Sequence, residues 1–302
     1  MRTFVYLPFV ACVIGVASAR LVARRTDPRV SARVLAGSGI ALAGATSAAL
    51  SLLAFTVIAR VPLVAAQGRW SASAVTRKVP VPMWVGVAAI VCIVAIGVHA
   101  LRTFDTYRRG LGHAVRLQLE NGGEIVTVPE TASFAYACRV LPFRPGVIVV
   151  SEGLHNTLDA DQRAAVLAHE QSHLAHQHGL YELVALITGA LNPLLRPMQR
   201  AVGFALERWA DEDAAASLGR NTAASALAAS ALQRPHAVPQ SALAHGASSV
   251  PARVEALLDN PRPRNPALIV SAAVNATLAI VAVLLAAHST ELIFEALRRS
   301  VH

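Results

Sequence analysis

The sequence predicts a mainly α-helical integral membrane protein: four transmembrane helices, with a polar α+β domain between the third and fourth. Three observations carry this. Of the 302 residues, 54% are hydrophobic and only 15% are charged, where ordinary soluble domains carry roughly a quarter. The mean hydropathy is +0.49. The charge deficit is also local, since long apolar runs flank one stretch with ordinary polarity and clear strand and helix-cap signals.

The membrane region, 1–101, holds three apolar segments at about 4–19, 34–59 and 81–101, and a fourth follows at 267–287. A bilayer crossing takes roughly 17–25 residues. Phe4–Ala19 is short and contains Pro8, and it has a rival reading as a cleaved signal peptide. Arg2 precedes the apolar stretch, and Ala17-Ser18-Ala19 offers a small-residue cleavage site. Arg20, Arg24, Arg25, Arg29 and Arg33 follow, opposed only by Asp27. Such a cluster resists translocation and favours a retained span.

With that cluster inside, the N-terminus lies outside the cell membrane and the region between the third and fourth spans is cytoplasmic. Arg102, Arg108, Arg109 and Arg116 after the third span, and Arg262 and Arg264 before the fourth, agree. Arg60, Arg69, Arg77 and Lys78 in the outer loop, and Arg298 and Arg299 in the tail, weigh the other way. The net charge of +9 comes almost wholly from arginines beside apolar runs, where they read as contacts to anionic lipid headgroups. No aromatic–basic interleaving marks a nucleic-acid surface. Cys12, Cys92 and Cys138 form no CxxC pair and support neither a disulfide framework nor a cysteine metal site. Cys138 reads as a small core residue.

The polar domain spans 102–266. Val115, Leu117 and Leu119 alternate with Arg116, Gln118 and Glu120, which predicts a strand. Asn121-Gly122-Gly123 would turn it into a hairpin with Ile125–Val128. A further strand is expected at Val147–Val150, after a turn at Pro142–Gly146. Asp159 and Gln162 make a capping box for a helix running to about His178, with Gly179 as its cap. Leu180–Leu195 reads as a core helix or a segment dipping into the membrane interface. Pro197 and Gly219 bracket the next helix, and an Ala-rich helix follows Asn221 until Pro235. Asn260–Pro266 is a Pro-rich linker, and 288–302 is a short tail.

The chemistry lies in Ala168-His169-Glu170-Gln171-Ser172-His173. On a helix, residues four apart share a face, so His169 and His173 converge on one metal while Glu170 reaches a water beside it. Two imidazoles and a carboxylate with one open position suit zinc, with Glu170 as general base. The third ligand is Glu207, in Glu207-Arg208-Trp209-Ala210-Asp211, where Asp211 stands four residues on to hydrogen-bond a ligand histidine. His176 and His178 read as solvated residues near a helix C-terminus, and His99 as interfacial.

These motifs, with Val150-Ser151-Glu152-Gly153-Leu154 and Asn192-Pro193-Leu194-Leu195, resemble the BlaR/MecR-type membrane metallopeptidases, and more distantly HtpX and the CAAX prenyl proteases. The resemblance covers roughly Val115 to Leu258. It implies a zincin-like domain with zinc at His169, His173 and Glu207, catalysis by Glu170, support from Asp211 and a cytoplasmic catalytic domain. Arg253 resembles an arginine that related peptidases keep near the site, as a substrate or transition-state contact, or is a surface charge. Ser133–Ala137 is a candidate edge for strand addition by a substrate. The antibiotic-sensing relatives carry a penicillin-binding domain after the last span, whereas Ser289–His302 follows it here, so direct β-lactam sensing is not expected. The leading expectation is selective cleavage of a cytoplasmic protein, such as a transcriptional repressor in a signalling pathway. Quality-control cleavage of membrane proteins and a non-catalytic signalling scaffold are the alternatives.

Overall fold

A computed structural model describes residues 3–79, 81–121, 123–139, 144–232, 250–259 and 265–299. A 3-10 turn at Phe4–Tyr6 opens α1 (Leu7–Arg25). Asp27 caps α2 (Pro28–Ile58), accepting the N–H groups of Arg29 and Val30, and Pro28 occupies the first turn, where its missing N–H is not needed. Short helices α3 (Pro62–Gly68) and α4 (Ala72–Lys78) lead to α5 (Met83–Asn121).

Three strands follow: β1 (Ile125–Val128), β2 (Ala135–Cys138) and β3 (Val147–Ser151). Then come α6 (Glu152–Thr157), α7 (Ala160–Ala175), α8 (His178–Leu191), α9 (Arg196–Leu218), α10 (Arg220–Leu232), α11 (Val250–Leu258) and α12 (Pro266–Arg299).

Among the described residues, four helices are long and apolar enough to cross a bilayer: Phe4–Arg25, Pro28–Ile58, Met83–Arg109 and Pro266–Arg299. Each contains the bulk of the apolar run expected from the sequence and continues beyond it at one end or the other. α2 is the central helix, packed against α1, α5, α12, α8 and α9. Trp84, Val91, Val94 and Leu101 on α5 and Leu278 and Leu284 on α12 stay exposed, as a lipid-facing surface would.

α8 and α9 form a wedge among the spans. At its tip Asn192 donates to Thr46 Oγ1 (3.1 Å) and Cys12 Sγ (3.5 Å), and its own Oδ1 accepts from Leu194 N–H. Thr46 lies mid-way along α2, and Cys12 early in α1. Close approach needs small residues: a Cβ on Gly39 would meet Thr188 Cγ2 at 3.1 Å, and one on Gly15 would meet Leu42 Cδ1 at 2.8 Å. The apolar Leu180–Leu195 stretch is thus a helix inserted between spans.

The sheet order is β1-β3-β2, with β1 parallel and β2 antiparallel to the fully buried β3. Two expectations are corrected. Val115–Glu120 is not a strand but the end of α5: nothing before Asn121 stops the helix, and the short alternation fits a helix face as well as a strand. Gln118 there donates to the carbonyls of Arg144 and Pro145. β1 therefore pairs with β3 rather than in a local hairpin. The turn between α7 and α8 is made by Gln177 at φ 54°, not by Gly179. Gly219, at φ 91°, ends α9 as expected. Gly122, Pro142, Pro235, Asn260 and the end of the tail lie outside the described residues.

Candidate metal centre

α7 begins on the expected capping box, with Asp159 accepting from Gln162 N–H and Gln162 Oε1 accepting from Asp159 N–H. Two turns later its inner face carries His169 and His173, whose Nε2 atoms are 3.1 Å apart. α9 packs against α7 and brings Glu207 to the pair: Oε2 lies 3.6 Å from His169 Nε2 and Oε1 3.7 Å from His173 Nε2. One donor atom from each of the three residues lies within 4.8 Å of the others. A tetrahedral ion with bonds of about 2.0–2.2 Å sets its ligand atoms about 3.3–3.6 Å apart, so this donor set fits an ion of zinc's size and ligand preference.

One carboxylate and one guanidinium brace the donors. Asp211 Oδ1 lies 3.0 Å from His169 Nδ1, leaving Nε2 of that ring for the metal. Arg253, 3% exposed, grips Asp211 through Nε (2.7 Å to Oδ2) and Nη2 (2.6 Å to Oδ1), while its Nη1 stands 2.6 Å from Glu207 Oε2. It is a buried clamp, not a surface charge. Burial disfavours charge on every member, but pairing outweighs it for all except His173. Burial raises the Glu207 carboxyl, yet Arg253 and both histidines hold it well below the usual carboxylate range. Burial likewise raises Asp211, and Arg253 and His169 bring it down overall. Burial pulls the His169 imidazolium down, but Asp211 and Glu207 more than offset this and push it up to about 10. For His173 burial wins and the value falls.

Glu170, 9% exposed, points from the same helix at the sheet, where its Oε2 accepts the N–H of Ala137 at 2.7 Å. Ser151 N–H bonds Phe134 O, just before β2 on the side facing β3, so alternate residues of this edge strand turn away from β3 and towards the metal helix. A cavity of about 60 Å³ adjoins the donors. Ser133, Phe134 and Ala135 line one wall, and Ala226, Leu227 and Val250 from α10 and α11 line another.

The structure brings together all six residues singled out in the sequence: His169, Glu170, His173, Glu207, Asp211 and Arg253. Cys138 is buried as expected, and His99 Nε2 stands 2.9 Å from Arg196 Nη2. The reading of His178 as solvated is overturned, whereas His176, at the C-cap of α7, keeps 38% of its side chain exposed. His178 is fully buried, its Nδ1 2.9 Å from His173 Nδ1 and its ring against Trp209. Burial and its histidine neighbours lower its pKa to about 2. His176 stacks on Trp209 and lies 2.9 Å from Asp213.

Sequence reasoning also missed Asp213. It accepts from Ser172 Oγ at 2.7 Å and pairs with Arg29 at 2.6 Å, tying the α1–α2 turn to the metal helix. No spacing rule links these three positions. Glu182 was missed too, although a lone acid in an apolar run is itself a signal. Burial, with Glu207 and Glu170 nearby, pushes it up to about 8.

The arginines after α1 have protein partners. Arg208 donates to the carbonyls of Ala23 (2.6 Å) and Thr26 (3.3 Å), and Arg33 lies over the Trp209 ring at 5.2 Å. Arg29, through Asp213, and Arg33 thus also make contacts to α9.

The family model of peptidase family M48 matches residues 105–259, that is 155 of the 302 residues. No curated protein and no solved structure matches the chain significantly.

Proposed function

The chain belongs to peptidase family M48, and on that footing we propose that it is a membrane-embedded zinc endopeptidase with His169, His173 and Glu207 as metal ligands and Glu170 as general base. The carrying observation is the convergence of the three donor atoms from α7 and α9 next to Glu170. Zinc bound there supplies Lewis acidity and brings the pKa of water towards neutrality. Glu170 then takes a proton from the attacking water and later returns it to the leaving amine. Asp211 fixes the His169 tautomer, and Arg253 keeps two neighbouring carboxylates ionised in a buried site. Substrate main chain is expected to lie along the outer edge of β2, beginning at Ala135. The region 102–266 forms the peptidase domain in this reading, and its likeness to the BlaR/MecR type rests on the sequence motifs.

The same geometry bears on the substrate. Arg208, next to Glu207, holds the carbonyls that end α1, which supports a reaction centre close to the membrane surface. The arginine distribution supports a cytoplasmic face. Selective cleavage of a cytoplasmic or membrane-tethered protein, such as a repressor-type regulator, follows as the leading reading. Proximity to the bilayer favours quality-control cleavage of membrane proteins as the second. A scaffold would need no base beside an open coordination position.

The test is a census of new protein N-termini in cells expressing wild type or Glu170→Gln. A few sites seen only with wild type support a regulator protease, and many sites in membrane proteins support quality control. Identical profiles under resting and stressed conditions count against both.

A further inference from the structure

Each metal-facing histidine needs its second ring nitrogen engaged, because that contact fixes which nitrogen is left bare for the ion. For His169 the engaging group is Asp211. The corresponding atom of His173, Nδ1, faces Nδ1 of His178 at 2.9 Å. His173 Nε2 is the atom turned towards His169 and Glu207, so in a metal-ready ring the proton sits on Nδ1. His178 Nδ1 must then be the acceptor, with its own proton on Nε2. That Nε2 is buried without a hydrogen-bond partner among the described residues, beside the Trp209 ring whose centroid is 4.8 Å from that of His178.

Three further features show that His178 is aimed. Its side chain is fully buried. Its ring stands edge-on to His173, with centroids 4.7 Å apart at 89°. The residue before it, Gln177, adopts φ 54°, a left-handed conformation that is unfavourable for a non-glycine residue. The turn that separates α7 from α8 is therefore made in a locally unfavourable way that delivers His178 to His173.

We propose that His178 is the positioning residue for His173, accepting its Nδ1–H and so committing its Nε2 to the metal. The inference rests on the metal-centre reading given above. It makes the two histidines unequal, one backed by a charged carboxylate and the other by a neutral imidazole. Because His178 is the first residue of α8, it also places the inserted α8–α9 wedge one hydrogen bond from a metal ligand.

The test uses the full-length chain in detergent, stripped of metal. Zinc affinity is read by competition with a chromogenic chelator, and site geometry by the absorption spectrum of the cobalt-loaded protein. His178→Phe keeps an aromatic ring but removes the acceptor, and should lose roughly 10–100-fold in zinc affinity and alter the cobalt spectrum. His178→Asn places an acceptor near the Nδ1 position and should recover most of both. If the Phe variant does not accumulate, His178→Gln replaces it: its amide reaches the Nε2 position instead, so it should fall well below Asn. Wild-type affinity and spectrum in the Phe variant would overturn the proposal, and so would an Asn variant that falls as far as Phe or Gln. Failure of the peptidase reading looks different, because wild type itself would then bind zinc no better than His169→Ala.

Discussion

At the scale of single residues, the centre is a set of buried charges that are tolerable only together. Arg253 pairs with Glu207 and Asp211 at once, and removing one partner of a buried ion pair typically costs about 3–5 kcal/mol. Arg253→Met should therefore lower the thermal stability of metal-free protein strongly. The loss should be smaller with zinc bound, since the ion then offsets part of the carboxylate charge. Melting curves with and without zinc check this. Metal uptake should also release protons. His169, raised to about 10, is protonated at neutral pH in the metal-free chain and must lose that proton to bind. Apparent affinity should rise as pH increases from neutrality towards that value and fall on acidification. Calorimetry in buffers of different ionisation enthalpy should find about one proton released per metal at neutral pH, and none would contradict the assignment.

At the scale of elements, the α8–α9 wedge is the least ordinary feature. Asn192 satisfies its amide on Thr46 and Cys12 between the spans, a contact worth roughly 0.6–2 kcal/mol in a membrane protein. Asn192→Ala should cost about that much, and Asn192→Asp more, because a charge at that depth adds several kcal/mol. Unfolding in detergent measures both. If the wedge is inserted as described, Leu194→Cys in intact membranes should resist a membrane-impermeant maleimide. The same reagent should label Asp161→Cys, on the exposed start of α7, once that face of the membrane is opened to it. Equal labelling at the two positions would place the wedge in water.

Legibility in the sequence divided along physical lines at this scale. The spans, the α7 capping box, β3 and the shared face of His169 and His173 rest on local spacing and could be read. Glu207 could be singled out from its own four-residue spacing with Asp211 on a separate helix. The extension of α5 through Val115–Glu120 could not, because a six-residue alternation fits a helix face equally well. The partners of Asp213 and His178 are tertiary: nothing local links Arg29 or Ser172 to Asp213. The depth of Asn192 depends on packing against α1 and α2, which residue order alone does not reveal.

At the scale of the whole molecule, the membrane helices and the centre are one packed unit. Arg29, Asp213 and Ser172 form the tie between them. Burial raises the Asp213 carboxyl, but hydrogen bonds from Ser172 and Arg29 lower it further, so its net value is depressed. A depressed carboxyl stabilises the fold above its unfolded value, about 3.9, and loses that contribution as pH falls through the folded value. Asp213→Asn should thus be less stable than wild type at neutral pH, and the gap should close as pH drops below about 4. An unchanged gap in acid would remove Asp213 from the account.

The central claim is that a metal held by His169, His173 and Glu207 works with Glu170 to cut peptide bonds. The most direct measurement is peptide-bond hydrolysis by purified wild type and Glu170→Gln, with zinc quantified on the same samples. The account predicts about one zinc per chain in both proteins and a loss of roughly 10²–10⁴-fold in rate for the variant. Equal rates at equal zinc content would contradict it.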